Sequence, residues 1–486
     1  MRKVPRLNIA PVFLFALMLC AGCASMAERG LLPDVKARPL PDVFPGTEII
    51  LLEKADISGD SLFKSLVSAD GRAHLFLSDK KKKIHHLEIS DSAVLQHEIL
   101  GALEEAPAAL DAVEHPEGKL RVIAGDRQFI QSAPGNGWEE VRGNLCTRFV
   151  KAGDNLLCAF IANGGELGSP MRRDWTVGWF ILLPVVFWSD VFADKLVLAQ
   201  ESPDGWIIRA VFDPETKLST RPDFMAGSDA EGFLHFLYRS SGGSTAFIVA
   251  FAPGGGVVSG ADTSAVEIRY ARVHYEHLTP VEEMDVSGEE GKGNASSPWK
   301  SIQGIPLNPM PYIVDKYQRP DSLKMMGPID RRFAVNSRSG DPCGLARAGN
   351  WALDDGAHKI GIEDTPWINV MLRDGQWAPR FEIVAASDLP ESGWGWYNDR
   401  NALIRSDSHG NNHVLLVKSK AGFWKSTNEM CYFYNTGNEW SAPLVLGEIL
   451  GVDSSRSLAT GKDGKVFAAW RASGNRIVGR WIIPKK

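Results

Sequence analysis

The sequence predicts an all-β fold, a single β-propeller of about seven four-stranded blades, with six to eight possible. Three observations predict it. Short apolar runs such as AHLFLS, WIIRAVF and HVLLVKS are separated by clusters of Gly, Asp, Asn and Ser, the pattern of strands and turns. The strands recur in a unit of about 50 residues, the length of one blade. The two chain ends carry complementary incomplete units, as expected if the ring closes on itself.

The first 22 residues have the parts of a secretory signal. Three basic residues within the first six positions precede the apolar run IAPVFLFALML, which is too short to span a bilayer as a permanent helix. The small residues directly before Cys23 resemble the bacterial lipobox, in which the processed cysteine is lipidated and becomes the mature N-terminus. The resemblance implies acyl chains, palmitate among them, on Cys23. Cys20 stands where the lipobox usually has leucine, and cleavage at an ordinary signal site is the alternative.

A lipidated Cys23 implies residence in the cell envelope, because two or three acyl chains hold a protein on a membrane. Ala24 occupies the position where bacterial lipoproteins retained in the inner membrane commonly carry aspartate. The resemblance therefore implies the outer membrane. Residues 23–46 are proline-rich and without periodicity, so we expect a tether. Residues 47–486 are expected to form the propeller, with irregular insertions near 163–200 and 275–350.

One repeating unit is clear near the C-terminus. It reads RNALIRSD, NHVLLVKS, MCYFYNTG and EWSAPLVLGEI, four strands joined by turns. Turn glycines are 47 residues apart in the pair Gly71 and Gly118, and 54 apart in the pair Gly410 and Gly464. Both gaps match the period of a blade.

The final unit lacks one strand. It contains SRSLATGKDG, KVFAAWRA and RIVGRWII and then stops, whereas PGTEIILLEK stands before the first complete unit without partners. We therefore expect the N-terminal strand at residues 48–52 to complete the last blade, beside the sheet that contains Phe467 and Trp470. Such a closure removes both exposed sheet edges.

Composition excludes one class of partner. The formal net charge is −6 and the charges are mixed, so the chain has no electrostatic footprint for nucleic acid. The one basic run, DKKKKIHHLEI from Asp79 to Ile89, has two interpretations. It could touch anionic lipid or a polyanion, or it forms an exposed turn whose lysines protect a strand edge, and the second is favoured.

Two of the cysteines are spaced for a disulfide, which persists in an exported protein. Cys146 and Cys158 lie symmetrically about Ala152, so a hairpin turning at residues 151–153 places them opposite each other. Cys343 and Cys431 have no visible relation, and each is expected to be a buried small apolar side chain.

Three histidines occupy similar places in SADGRAHLFL, SDAEGFLHFLY and SDSHGNNHVLLV. His74, His235 and His413 each follow a tight turn and open the next strand. On a propeller they would lie at equivalent positions of separate blades, whereas a metal site would need them to converge. We therefore expect them to serve the turns.

The segment WTVGWFILLPVVFWSDVF, residues 175–192, is apolar on both strand faces. Its aromatic residues make it a candidate for membrane or partner contact: Trp175, Trp179, Phe180, Trp188 and Phe192. Three interpretations stay open, namely a buried plug or inter-blade insert, a loop that dips into lipid, and a partner-binding patch.

A second irregular zone, residues 287–350, is rich in Gly, Pro and Ser and is expected to form loops on one face. Its arginines could meet a carboxylate or phosphate, although solvated surface charge is the favoured interpretation: Arg331, Arg332, Arg338 and Arg347. No catalytic residues can be assigned, and no phosphate-cradling glycine loop or metal-ligand cluster is visible. We expect no cofactor and no metal.

The units in residues 399–486 and 60–143 resemble bacterial propellers of the sialidase-like and WD40-like kind. The sialidase Asp box is not matched, because Ser68-Ala69-Asp70-Gly71 lacks its spacer and the aromatic residue is displaced. We expect a lipid-anchored binding or scaffolding module with a protein or glycan partner. The alternatives are a sialidase-like glycan-directed hydrolase or lectin, and a membrane-docking protein that uses residues 175–192.

Overall fold

The protein is all-β. The computed structural model describes residues 43–58, 61–133, 137–142, 146–162, 171–180, 183–192, 195–202, 205–212, 224–241, 245–251, 257–263, 266–278, 329–347, 367–373, 376–384, 395–396, 402–420, 427–435, 440–451 and 455–484. Helical structure in these residues is limited to one short helix, α1 (Ile329–Arg332), and two 3-10 turns, Tyr275–His277 and Ser473–Asn475.

The strands of the described residues form seven radial sheets, or blades, and one further sheet. Within a blade, antiparallel strands follow one another from the innermost strand, A, to the outermost, D. The first chain segment supplies β1 (Val43–Pro45) and β2 (Ile49–Leu52). Blade 1 contains β3 (Phe63–Val67), β4 (Ala73–Ser78), β5 (Lys83–Ile89) and β6 (Val94–Ala102). Blade 2 contains β7 (Leu110–Glu114), β8 (Leu120–Ala124), β9 (Arg127–Gln131) and β10 (Trp138–Arg142).

Blades 3 and 4 each carry a hairpin between their B and C strands. Blade 3 contains β11 (Arg148–Ala152), β12 (Asn155–Ala162), β15 (Lys195–Ser202) and β16 (Gly205–Phe212). The described strands of blade 4 are β17 (Phe224–Ser228), β18 (Phe233–Ser241) and β21 (Val266–His274). The two hairpins are β13 (Met171–Phe180) with β14 (Leu183–Phe192), and β19 (Thr245–Phe251) with β20 (Val257–Thr263).

Three more blades complete the ring. Blade 5 contains β22 (Phe333–Val335), β23 (Pro342–Arg347), β24 (Trp367–Arg373) and β25 (Gln376–Val384). Blade 6 contains β26 (Gly395–Trp396), β27 (Leu403–Ser406), β28 (Asn412–Lys420), β29 (Thr427–Asn435) and β30 (Leu444–Glu448), with β26 and β27 both paired to β28. Blade 7 contains β31 (Arg456–Thr460), β32 (Val466–Ala472) and β33 (Arg476–Pro484), and β1 and β2 pair with β33.

The A strands form a closed cycle at the centre. Each of β3, β7, β11, β17, β22 and β27 contacts the next, β27 contacts β31, and β31 contacts β3 again. The described strands thus form seven blades, and the predicted propeller is confirmed.

The N-terminal strand closes the last blade, as the sequence predicts. Residues Ile49 and Val43 pair with Gly479 and Pro484 of β33, in the sheet that also holds Phe467 and Trp470 on β32. Val43 already pairs with Pro484, so the ring includes residues that precede position 47. Gly479 has a structural reason to lack a side chain, because a Cβ there would lie 2.6 Å from the Phe467 ring.

The core consists of a series of apolar layers between neighbouring blades. Alternate residues of β4 show the arrangement: Leu75 and Leu77 pack with Phe467 and Trp481 of blade 7, whereas Phe76 packs with Phe129 of blade 2. Because both faces of a blade are covered, the B strands read as continuous apolar runs rather than as alternating ones.

Strand direction gives the ring two distinct faces. The A–B and C–D connections lie on one face, called here the turn face, and the B–C and D–A connections lie on the other, called the insertion face. In blade 7, β33 runs from the insertion face to the turn face, so Val43, opposite Pro484, lies on the turn face. Within the described residues, no helix has the length and apolar character needed to cross a membrane.

Truncating the closing strand should destabilise the ring. Leu51 is 5% exposed and packs between blades 7 and 1, so Leu51→Ala is expected to lower the free energy of unfolding by about 2–5 kcal/mol. The adjacent Ile50 is 42% exposed, and Ile50→Ala is expected to change it by less than about 0.5 kcal/mol. Urea unfolding measures both. Equal effects of the two substitutions would contradict closure through this strand.

Candidate binding face

The A–B turns of the seven blades share one backbone feature. Each contains a glycine with positive φ, a conformation that other residues adopt at a cost. These glycines are Gly71, Gly118, Gly153, Gly232, Gly340, Gly410 and Gly464. The turns predicted at Gly71, Gly118, Gly410 and Gly464 are among them.

In blade 1 the turn is tied to a buried chain of polar side chains. Ser68 Oγ lies 2.5 Å from Asp70 Oδ1 and 3.1 Å from His74 Nε2, and His74 Nδ1 lies 3.1 Å from His86 Nε2. His86 Nδ1 then donates to Glu98 at 2.8 Å. Glu98 also accepts a hydrogen bond from the indole of Trp138 in blade 2, so this chain joins two blades.

Blade 4 has a shorter chain of hydrogen bonds between its turn and a buried histidine. Asp229 Oδ1 accepts hydrogen bonds from the backbone of Glu231 and Phe233, and Oδ2 accepts from His235 Nε2 at 3.0 Å. Because the carboxylate only accepts, the Nε2 of His235 carries the proton.

Blade 6 repeats this arrangement. Asp407 Oδ1 accepts from the backbone of His409 and Asn411, and Oδ2 accepts from His413 Nε2 at 3.2 Å. The other ring nitrogen, Nδ1, lies 2.7 Å from the hydroxyl of the buried Tyr432. Each of the three histidines is therefore hydrogen-bonded to the turn six residues before it, and they lie on separate blades.

The surroundings lower the pKa values of these groups, which leaves the histidine neutral and the carboxyl groups ionised. Burial, helped by the nearby His86, lowers the pKa of His74 to about 3, so this imidazole is neutral. Burial opposes ionisation of Asp407, but hydrogen bonds from His413 and Asn411 outweigh it and lower the carboxyl pKa to about 2. The pKa of Asp229 is lowered in the same way, by His235 and backbone amides against the opposing effect of burial. Ionised carboxylates thus hold the turns at neutral pH.

Neighbouring turns are also joined to each other across the turn face. The amide of Ala230 donates to the carbonyl of Ser337, and Asn336 donates to the carbonyl of Gly410 at 2.8 Å. In blade 1 the amide of Ala69 donates to Glu114 of blade 2 at 2.9 Å. These polar groups therefore hold neighbouring blades together.

One ion pair lies among the inner strands. Lys64 of β3 is 2.5 Å from Asp111 of β7, and the second carboxylate oxygen accepts from the amide of Phe149 in β11 at 2.7 Å. Asp111 is 5% exposed and links the A strands of three successive blades. Asp111 therefore has a structural role, because it holds these three strands together.

The structure places a disulfide between Cys146 and Cys158. The predicted register was wrong, because the two-residue turn lies at Gly153 and Asp154, and Cys158 faces Phe149. Gly153 has φ +59°, which suits the first central position of a type II′ turn and sets this register. Cys146 lies two residues before β11, yet the Cα atoms are 5.5 Å apart.

Cys343 and Cys431 are buried, as expected of small apolar side chains. Burial raises the pKa of the Cys343 thiol to about 12, so it stays protonated.

One predicted arginine of the second irregular zone departs from the expectation of solvated surface charge. Arg332 ends α1 and is 1% exposed, so its interpretation as solvated surface charge was wrong. Arg338 is exposed on the turn face, and Arg331 is half-buried. Residues 279–328 lie outside the described residues, as do Cys20 and Cys23.

The B–C connections, which lie on the insertion face, differ in length from blade to blade. These are short in blades 1, 2, 6 and 7, where they comprise residues 79–82, 125–126, 421–426 and 473–475. They are long in three successive blades, where they comprise residues 163–194, 242–265 and 348–366. The enlarged B–C connections thus belong to three adjacent blades.

The hairpins of blades 3 and 4 combine into one sheet, called here the insertion sheet, with the order β14-β13-β19-β20. Residues 175–192 therefore form a hairpin, in which Trp175 pairs with Trp188 and Trp179 with Pro184. Phe180 faces Leu183 at the turn, and Phe192 pairs with Met171 at the base. The second hairpin, residues 245–263, was missed at the sequence level, although TAFIVAFAPGGGVV has the same apolar character around a glycine-rich turn.

The two hairpins point in the same direction. β13 and β19 are parallel neighbours, with Trp179 beside Ile248 and Phe180 beside Val249. Both strands leave their blades on the insertion face and run toward their turns. Among the described elements, the strands of this sheet make their extensive contacts with one another rather than with the blades.

Within the described residues, no group of three or more His, Cys, Asp or Glu is arranged to hold a metal ion. The feature that distinguishes the insertion face among the described residues is the insertion sheet.

The sequence matches no protein-family profile, and no curated protein matches it. The fold is similar to that of an ulvan lyase, a polysaccharide lyase, at 10% identity over 90% of this chain and 96% of that chain, with a TM-score of 0.43. A lectin of Aleuria aurantia is similar at 10% identity over 89% and 98%, with a TM-score of 0.35. An α-L-arabinanase of Penicillium chrysogenum is similar at 10% identity over 91% and 99%, with a TM-score of 0.36. Similarity at this level concerns the general fold alone.

The neutral state of His74 predicts a pH-dependent stability. Below about pH 6.5 the unfolded chain binds a proton at this position, whereas the folded chain does so only near pH 3. The free energy of unfolding should therefore fall as the pH drops from 6.5 to 4.5, by up to about 1.4 kcal/mol per unit from this group. Urea unfolding across this range should show a shallower fall for His74→Gln.

His409 provides the matched control, because its side chain is 59% exposed. His409→Gln should keep the pH dependence of the unaltered protein. Burial also lowers the pKa of His235, so His74→Gln reduces the fall without abolishing it. Identical profiles for His74→Gln and the unaltered protein would contradict the assignment.

Proposed function

We propose that this protein is a lipid-anchored β-propeller that acts as a binding or scaffolding module at the cell envelope, with the insertion face as its binding surface. The observation that carries the proposal is the enlargement of the same connection in three successive blades. The ring closes without these additions. Segments that a fold does not need for its own closure are where binding surfaces are commonly placed.

The two faces support different roles. On the turn face, the amides and carboxylates of neighbouring blades are hydrogen-bonded to each other. On the insertion face, a four-stranded sheet stands on blades 3 and 4 and leaves its edges, β14 and β20, without a neighbouring strand among the described residues. Open strand edges can pair with a further chain, which favours recognition on this face.

The anchor is the second part of the proposal. Cys23 follows small residues and an apolar run of signal-peptide length. Residues 23–42 separate it from the first strand of the ring, which is enough chain to hold the propeller clear of the membrane. Acylation would keep the module at the envelope, and the outer membrane is proposed from Ala24.

Metabolic labelling with a palmitate analogue tests the anchor. The unaltered chain should incorporate the label, whereas Cys23→Ala should lose it and leave the membrane fraction or remain unprocessed. Cys20→Ala is the matched control, because it removes a neighbouring cysteine that the proposal leaves unacylated, and it should keep the label. Labelling that survives Cys23→Ala would overturn this part.

Site-specific photo-crosslinking in cells tests the binding face. A photoreactive residue in place of Asp190, on β14 of the insertion sheet, is expected to give discrete adducts severalfold above those from position 463. Asp463 lies in the A–B turn of blade 7 on the turn face, and its side chain is 50% exposed, so it serves as the control. Adducts mainly from position 463 would place the binding surface on the turn face and would contradict this part of the proposal.

The alternative function is that of a glycan-directed hydrolase or lectin. It would need acids, a tyrosine and arginines together at the channel mouth. Tyr432 does lie beside His413, near Asp407, but all three side chains are at most 2% exposed. Saccharide adducts from position 190 would identify a lectin, and release of product from a polysaccharide by the purified protein would identify a hydrolase.

A further inference from the structure

We propose that the propeller rests on a lipid bilayer through its outer rim at the junction of blades 7 and 1. The inference rests on the proposed envelope anchor, and the partner is the lipid surface itself. The contact consists of Phe44 on β1 and of Leu95 and Ile99 on β6, the outer strand of blade 1, called here the apolar rim. A tether alone leaves the orientation of the ring open, and the apolar rim fixes it.

Phe44 faces the junction from the side of blade 7. It pairs with Ile483 of β33, and directly paired residues of antiparallel strands lie on the same face of a sheet. Ile483 packs against the apolar layer between blades 7 and 1. The indole of Trp481, two positions earlier on β33, donates to the carbonyl of Ser90 in blade 1 at 2.9 Å, so the two blades meet at this point.

The exposed residues of β6 face the same junction from the side of blade 1. His97 pairs with Leu87, which belongs to the apolar layer between blades 7 and 1. Because side chains alternate along a strand, Leu95 and Ile99 lie on the same side as His97. Val94 packs against this layer as well, which places the start of β6 beside blade 7.

The apolar rim is exposed although its side chains are large. Leu95 is 53% exposed, Ile99 51% and Phe44 45%. His97, between the two aliphatic residues, is also exposed, and burial together with the nearby His85 lowers its pKa, so it is uncharged at neutral pH. An exposed patch of apolar side chains marks contact with a protein or a membrane.

This composition is not shared by the outer strand of the next blade. In blade 2, β10 carries Glu139, Glu140 and Arg142 among its five residues. The one acid of β6, Glu98, is directed toward blade 2, where it accepts a hydrogen bond from Trp138. The side of β6 that faces blade 7 is thus left without a charge.

The proposed anchor joins the ring beside the apolar rim, which favours lipid as the partner. Residues 23–42 lead to Val43, the neighbour of Phe44. Twenty extended residues span at most about 70 Å, so a membrane that holds Cys23 lies within this distance of Phe44. The exposed Ile207, by contrast, belongs to blade 3, two blades farther along the ring.

Lysines accompany the apolar rim. Lys465, in the A–B turn of blade 7, is 3.4 Å from Asp91 in the C–D turn of blade 1, so its charge is balanced locally. Pro484, which ends β33 beside the start of β1, is followed in the sequence by Lys485 and Lys486. Lysines close to the point where a tether begins favour an anionic lipid surface.

The ring places its enlarged connections across from this junction. The cycle of A strands puts blades 1, 2 and 3 on one side of the junction and blades 7, 6 and 5 on the other, so blade 4 lies opposite. The long B–C connections belong to blades 3, 4 and 5. A ring that rests on the apolar rim therefore holds these connections on the side away from the membrane, where a partner can reach them.

Depth-dependent quenching in the complete, acylated chain tests the proposal. Leu95→Cys carries an NBD fluorophore on vesicles of phosphatidylethanolamine and phosphatidylglycerol, and lipids brominated on their acyl chains act as quenchers. Ile207→Cys is the matched control, because Ile207 is 56% exposed on the outer strand of blade 3. The cysteines of the described residues are disulfide-bonded or buried and do not compete for the label.

The label at position 95 is expected to lose about threefold more fluorescence than the label at position 207, because it lies at the boundary of headgroups and acyl chains. Adding Ile99→Glu, which places a charge in the apolar rim, should abolish this difference. Val141→Glu should leave it unchanged, because Val141 is 39% exposed on the outer strand of blade 2, outside the apolar rim. Thermal unfolding verifies that both variants keep the ring intact.

Equal quenching at positions 95 and 207, or equal effects of Ile99→Glu and Val141→Glu, would overturn the proposal. Two further results would assign the apolar rim to another occupant, and both concern the emission from position 95 without lipid. A blue shift that grows with protein concentration would identify a second copy. A blue shift that disappears on deletion of residues 24–42 would identify the tether.

Anchor and rim contact can fail separately. Palmitate incorporation with equal quenching at positions 95 and 207 removes only this inference. Stronger quenching at position 95 in a chain without palmitate removes only the anchor.

Discussion

The burial of both faces of every blade is the constraint on which the rest of the structure depends. A blade in isolation would expose two apolar faces, so each blade is stable only between two neighbours. This requirement is met for all seven only if the ring closes. Closure in turn needs β2, because blade 7 takes its outer strand from the other end of the chain. Leu51 and Phe467 therefore belong to one apolar layer although they are far apart in sequence.

The polar residues of the turn face follow from the same requirement. A blade that is covered on both sides can keep a buried histidine only if its ring nitrogens are hydrogen-bonded. Asp407 and Asp229 satisfy this need while also accepting backbone amides of the turn. One carboxylate thus fixes a turn and the histidine six residues later. The repeated acid, glycine and histidine of the sequence are explained by this geometry.

Much of the ring could be predicted from the sequence, because turns and strands leave local signals. A single sequence is enough to recognise the turn glycines, the strand missing from the last blade and its replacement at Ile49. The union of the two hairpins was not predicted, since the parallel contact between Trp179 and Ile248 joins segments with no local relation. The register of the hairpin at Gly153 was wrong by three residues, because Cys158 faces Phe149 rather than Cys146. Symmetry of two cysteines indicates that they are close, but turn geometry sets the register.

The insertion sheet shows why adjacent blades, rather than scattered ones, carry the long connections. A single two-stranded hairpin is at best marginally stable in water, and three or more strands are needed for independent stability. Blades 3 and 4 lie side by side, as the contact of β11 with β17 shows, so hairpins from their B–C connections can meet. Each then supplies the strands that the other lacks. The addition leaves the central cycle of A strands undisturbed, which allows one face to gain a new surface while the opposite face holds the ring together.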